Sequence, residues 1–129
     1  MAGQASAGSE IIPGYTLVER VGAGGFGEVW KVTAPGGLSK AVKLVFGQIG
    51  EARAEQEFKA LSRIKEVRHP FLLSLERFEI VDSQLIIVTE LADASLMDRF
   101  KECRDQGLPG IPRDELLAYL RDAADALDY

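Results

Sequence analysis

Cysteine occurs once, at Cys103, so no disulfide can close within the chain, and a lone helical thiol suits a reducing compartment, with a cytoplasmic location as the expectation. Long apolar runs are missing as well. Uninterrupted apolar runs are only a few residues long, as in residues 71–73 and 85–88, far short of a membrane-spanning helix. Basic excess is also absent: 15 Lys and Arg against 20 Asp and Glu leave a net charge of -5, the wrong sign for a nucleic-acid footprint. The acid excess concentrates in residues 91–129, with nine acidic and five basic side chains, a pattern that ordinarily coats solvated helix faces. Asparagine does not occur. Histidine occurs once, as His69 beside Pro70, where capping or packing outweighs catalysis. Residues 1–10 lack the basic head and apolar core of a signal peptide and read as a disordered tail.

What is present fits one domain. A chain of 129 residues buries roughly two-thirds of its unfolded surface when compact. The organising stretch is Val21-Gly22-Ala23-Gly24-Gly25-Phe26-Gly27-Glu28-Val29. Glycines at 22, 24 and 27 let backbone N–H groups approach an anion without side-chain clash. The same spacing opens dinucleotide-binding folds, where a helix follows the last glycine. Here residues 28–33 alternate with period two and are rich in β-branched and aromatic types, Pro35-Gly36-Gly37 supplies a turn, and residues 41–46 are a second apolar run. The glycines therefore belong to a β-ribbon, which disfavours a dinucleotide oxidoreductase.

A glycine loop followed by valine, with Ala41-Val42-Lys43 on the strand after it, resembles the protein kinase family. The resemblance spans about residues 11–129 and implies an α+β fold, a kinase-like N-lobe of five antiparallel strands and the helix named αC, followed by the first C-lobe helices. The expected divisions are N-lobe 11–91, hinge 90–94 and C-lobe start 95–129. It implies that residues 22–27, including Ala23, Gly25 and Phe26, cover the phosphates of ATP, and that Val21, Val29 and Ala41 enclose the adenine. Lys43 would reach the α- and β-phosphates. Alternatives stay open for each: Val21 as the last core residue of its strand, Phe26 packing locally, and Lys43 snorkelling from a half-exposed strand. Apolar neighbours on both sides predict that Lys43 is partly buried.

Glu51 onward reads as a helix, with Ala52, Ala54, Phe58, Leu61 and Ile64 on one stripe. Glu55 has Lys59 at i+4, a solvated pattern, whereas Glu57 has Leu61 and Ile64 on the inward stripe. The resemblance implies that Glu57 holds Lys43 in place. Two surface glutamates on a charged helix remain the alternative. Residues 73–80 and 84–90 follow as two strands around Val81-Asp82-Ser83. Thr89 would then back the adenine pocket, with backbone groups of Glu90 and Ala92 meeting the adenine edge. Ser95 stands either at the ribose or as the N-cap of the next helix. A last stripe of Leu116, Leu120, Ala124 and Leu127 resembles the family's helix αE.

Phosphoryl transfer in this family needs His-Arg-Asp-x-x-x-x-Asn and Asp-Phe-Gly motifs, and neither occurs in these residues. The expected function is thus the ATP-binding part of a serine/threonine protein kinase acting on protein hydroxyls, inactive by itself, with Mg2+ expected only in the complete domain and no metal ligands here. A pseudokinase-like interaction module is the alternative. The partners implied are ATP and a protein substrate, with no nucleic acid and no membrane segment.

Overall fold

The computed structural model describes residues 5–25, 27–45, 47 and 51–128, with residues 51–54 and 57 described by their backbone alone. The alternating runs form one antiparallel sheet from β1 (Glu10–Ile12), β2 (Tyr15–Ala23), β3 (Gly27–Thr33), β4 (Ser39–Val45), β5 (Leu75–Val81) and β6 (Gln84–Thr89), in the order β1-β2-β3-β4-β6-β5. The helices are α1 (Glu51–Lys65), α2 (Leu96–Asp105) and α3 (Arg113–Leu127). One compact unit runs to Val67 and takes in Ser74–Leu91; a second comprises Arg68–Leu73 and the chain from Ala92 onward.

The five strands predicted from sequence are present, and β1 is an addition. Glu10 pairs with Thr16, the Gly8 N–H donates to the Leu17 carbonyl at 2.8 Å, and the Leu17 N–H donates to the Ser9 carbonyl at 2.8 Å. Residues 8–10, read from composition as tail, are thus tied to β2. The cause is a few apolar contacts that a small, polar composition hides: Ile12 is buried, and Ala5 and Ile11 pack against the core.

Period two sends Tyr15 and Leu17 of β2, Trp30 and Val32 of β3, Val42 and Leu44 of β4, and Ile86 and Val88 of β6 to one face, where they form the main core. Removing a side chain of this size from water contributes about 1.5–3 kcal/mol. The other face of the sheet meets α1, where Phe58 stacks edge-on against Phe78 with ring centroids 4.8 Å apart. Toward its C-terminal end the predicted inward stripe of α1 emerges, since Ile64 is 54% exposed.

β2 departs from simple alternation. Period two predicts Tyr15, Leu17 and Val21 on one face, yet the pairing shifts between Leu17 and Glu19 and again between Arg20 and Gly22. Val18 and Val21 are the extra residues at these two bulges, which bend and twist the strand. Val21 is consequently 51% exposed and outside the core cluster. The β5–β6 hairpin closes through Asp82 and Ser83, both at positive φ (50° and 64°), as a two-residue type I′ turn requires.

In the second unit, Arg99 of α2 grips Glu115 of α3 through Nε to Oε2 at 2.7 Å and Nη2 to Oε1 at 2.8 Å. The Tyr119 hydroxyl donates to the same carboxylate at 2.8 Å. The Arg99 bonds first, and that of Tyr119 second, hold Glu115 down from 4.5 to about 2, and Ser95 lowers Asp98 in the same sense. A depressed carboxyl pKa supports the fold above the unfolded value and ceases to do so as pH falls through the folded one. An acid titration followed by far-UV circular dichroism should therefore show wild type losing helix stability between pH 4.5 and about 2, with a shallower loss in Glu115→Gln. Leu120 and Leu127 on α3 are 52% and 87% exposed.

Candidate functional site

The glycine stretch is the tip of the β2–β3 ribbon, closed where the Gly24 N–H donates to the Gly27 carbonyl at 2.9 Å. Its glycines do different work. A Cβ on Gly27 would lie 2.2 Å from the Leu44 carbonyl oxygen, so Gly27 is what lets β3 lie against β4. A Cβ added to Gly22, Gly24 or Gly25 would meet nothing within 4 Å among the described residues, and none of the three sits at positive φ. Among the described residues nothing in the fold requires glycine at those three positions. A backbone left bare for reasons other than folding suits the close approach of a ligand.

Strand register then fixes what shares a face. Val29 lies opposite Lys43, Lys43 opposite Ile87, and Ile87 opposite Phe78. The next row runs Lys31, Ala41, Thr89 and Leu75. Directly opposed residues project to the same side of a sheet, so Val29, Ala41, Lys43 and Thr89 share one face. That face also carries Phe78, on which Phe58 of α1 packs. Gly22 pairs with Val29, bringing the root of the glycine tip to the Lys43 row.

Lys43 is exposed, which corrects the expectation of partial burial. Its apolar neighbours Val42 and Leu44 point to the opposite face and join the core, so they flank Lys43 in sequence without covering it. Phe26 and the side chain of Glu57 lie outside the described residues, and with them the expected Lys43–Glu57 pair. The Thr89 hydroxyl donates to the Glu90 carbonyl at 2.9 Å. The Glu90 N–H donates to the Ser74 carbonyl at 3.0 Å, and the Ser74 N–H returns a bond to the Glu90 carboxylate at 2.6 Å, joining the end of β6 to the start of β5.

Ala92 and Ser95 belong to the second unit. Of the two roles open to Ser95 from sequence, capping is the one made: its hydroxyl accepts from the Asp98 N–H at 3.1 Å and its N–H donates to Asp98 at 3.0 Å, a capping box. His69 accepts the Phe71 N–H on Nδ1 at 3.1 Å, meets the Phe71 ring at a tilt of 59°, and places Nε2 3.7 Å from Oδ2 of Asp125 on α3. Among the described residues no group of three or more His, Cys, Asp or Glu is placed to hold a metal ion, and no helix is long and apolar enough to cross a membrane. One polar cluster escaped the sequence reading: Arg20, Glu28 and Trp30 meet beneath the ribbon. The only signal for it was an acid two residues before a tryptophan.

Known proteins similar to this chain point to one family. The family model for protein tyrosine and serine/threonine kinases matches residues 15–129. Cysteine-rich receptor-like protein kinase 27 of Arabidopsis thaliana is 35% identical over 86 residues, covering 67% of this chain and 13% of that protein. Protein-tyrosine kinase 6 of Mus musculus is 27% identical over 117 residues, covering 89% of this chain and 25% of that protein. The solved kinase domain of Mycobacterium tuberculosis PknI superposes with a TM-score of 0.74 at 28% identity, over 97% of this chain and 51% of that domain. The chain thus spans about half of a solved kinase domain and a small fraction of the curated relatives.

Proposed function

The chain belongs to the protein tyrosine and serine/threonine kinase family, and from that premise we propose that these residues form the ATP-binding part of a kinase that phosphorylates protein serine and threonine. The observation that carries the proposal is the set of Gly22, Gly24 and Gly25, which meet no neighbour among the described residues that calls for glycine, at the tip of a ribbon whose Val29 lies opposite Lys43. In this reading residues 22–27 cover the triphosphate and Val21, Val29 and Ala41 enclose the adenine. Lys43 binds the α- and β-phosphates, with Glu57 holding it. Thr89 and the backbone of Glu90 serve the base edge, and the roles of Ala92 at the base edge and Ser95 at the ribose are carried over from the family resemblance. The exposure of Val21 supports a ligand contact over a core role.

The His-Arg-Asp and Asp-Phe-Gly motifs do not occur in these residues, and in this proposal Mg2+ and the acids that steer the accepting hydroxyl belong to the remainder of a complete domain. We place the protein in the cytoplasm, a reading supported by a single cysteine that is buried.

Thermal denaturation of the chain with ATP or NAD tests the binding claim. ATP at about 100 times its Kd should stabilise by about 2.7 kcal/mol, and NAD at equal concentration should shift the midpoint less. A larger shift with NAD returns the dinucleotide reading and sinks this one.

A further inference from the structure

Beneath the ribbon, on the core face, one carboxylate joins both strands. Glu28 accepts the indole N–H of Trp30 at 2.8 Å on Oε1, while Arg20 Nη1 stands 3.6 Å from its Oε2. Trp30 and Glu28 are on the same strand and face, two residues apart, and Trp30 is packed into the core cluster. Arg20 lies on the opposing strand, directly across from Trp30, and reaches past the Val21 bulge to the level of Ala23, whose partner is Glu28. The Glu28 side chain is only 14% exposed. The contact therefore spans the very bend that carries the glycine tip, and its inner end is fixed to the core by the indole.

We propose that Glu28 is a positioning residue for the glycine cover, setting through Arg20 and Trp30 the angle at which residues 22–25 lie over a nucleotide's phosphates. Glu28 projects away from the Lys43 face, because its neighbour Val29 is the residue opposite Lys43. It cannot touch a ligand bound beside Lys43, and any effect it has on that ligand passes through the ribbon. A bulged strand is free to flex where ladder bonds are interrupted, so an ion pair bridging the bulge narrows the range of loop poses. This inference rests on the nucleotide reading above and adds a device that tunes phosphate contact separately from base contact.

The test compares ATP with adenosine, which lacks the phosphates, on the whole chain and on Glu28→Gln. The amide can still accept from Trp30 through its oxygen, while the charge facing Arg20 is gone. Glu28→Gln should raise the Kd for ATP about fivefold, the scale of a good partly screened ion pair, and leave the Kd for adenosine and the melting midpoint unchanged. Arg20→Gln should weaken ATP to the same degree, and the double variant no further. Parallel weakening of ATP and adenosine, or no weakening of either, overturns the positioning role while the ATP reading stands. A wild-type chain that binds adenosine and ATP equally well removes both claims together.

Discussion

Gly27→Ala loses about 3 kcal/mol of stability, a fall of roughly 10–20 °C in melting midpoint for a domain of this size, whereas Gly24→Ala melts with wild type. Both replace hydrogen by methyl in the same glycine stretch, so the chemical change does not separate them; the partner on the far side does. At Gly27 the new methyl meets the Leu44 carbonyl oxygen at 2.2 Å, with Leu44 C and Val45 Cα both at 3.1 Å. These are backbone atoms of a central strand, paired on its other side with β6, and cannot step aside without breaking ladder bonds on one side or the other. At Gly24 the methyl enters open space among the described residues. Its cost appears only when a ligand lies close to the backbone, so Gly24→Ala should weaken ATP binding at unchanged stability. Urea denaturation with and without ATP separates the two. Equal stability of the variants would mean that β3 and β4 are further apart than the structure has them.

Period two in residues 28–33 and 41–45 places Val29, Ala41 and Lys43 on one face, and it holds because β3 and β4 pair without a break across their length. In β2 the same logic fails, since alternation assumes one residue per step and the bulges at Val18 and Val21 insert two. Nothing in Val-Glu-Arg-Val announces a bulge; it is a property of the pair of strands. Partial burial of Lys43 fails as an expectation for a related reason, because neighbours in sequence on a strand are on opposite faces. The kinase pattern is legible because it joins residues on two adjacent strands, a pairing that a helix after the last glycine would not produce. β1 is not legible, because its stability comes from Ile12 meeting a core assembled from distant residues.

Lys43→Met should raise the Kd for ATP roughly 10- to 150-fold, the equivalent of the about 1.5–3 kcal/mol that a hydrogen bond to a charged group contributes, and change adenosine binding little. Methionine keeps the unbranched stem and approximate volume, so the β4 backbone and the pairing with Val29 and Ile87 should persist. Stability should also persist, because Lys43 is exposed and its strand's core contacts are made by Val42 and Leu44 on the far face. Lys43→Arg is the informative companion. It retains the charge but presents a planar fork in place of a compact ammonium, and should recover only part of the affinity if the site holds the cation at one fixed distance. The pattern to look for is therefore loss of ATP binding in Met, partial recovery in Arg, and unchanged adenosine affinity and melting in both. If adenosine weakens as much as ATP, the lysine is shaping the pocket and not binding phosphate; if ATP is unaffected, the exposed ammonium merely extends into water and the phosphate contact must be made by backbone N–H groups of the glycine tip alone.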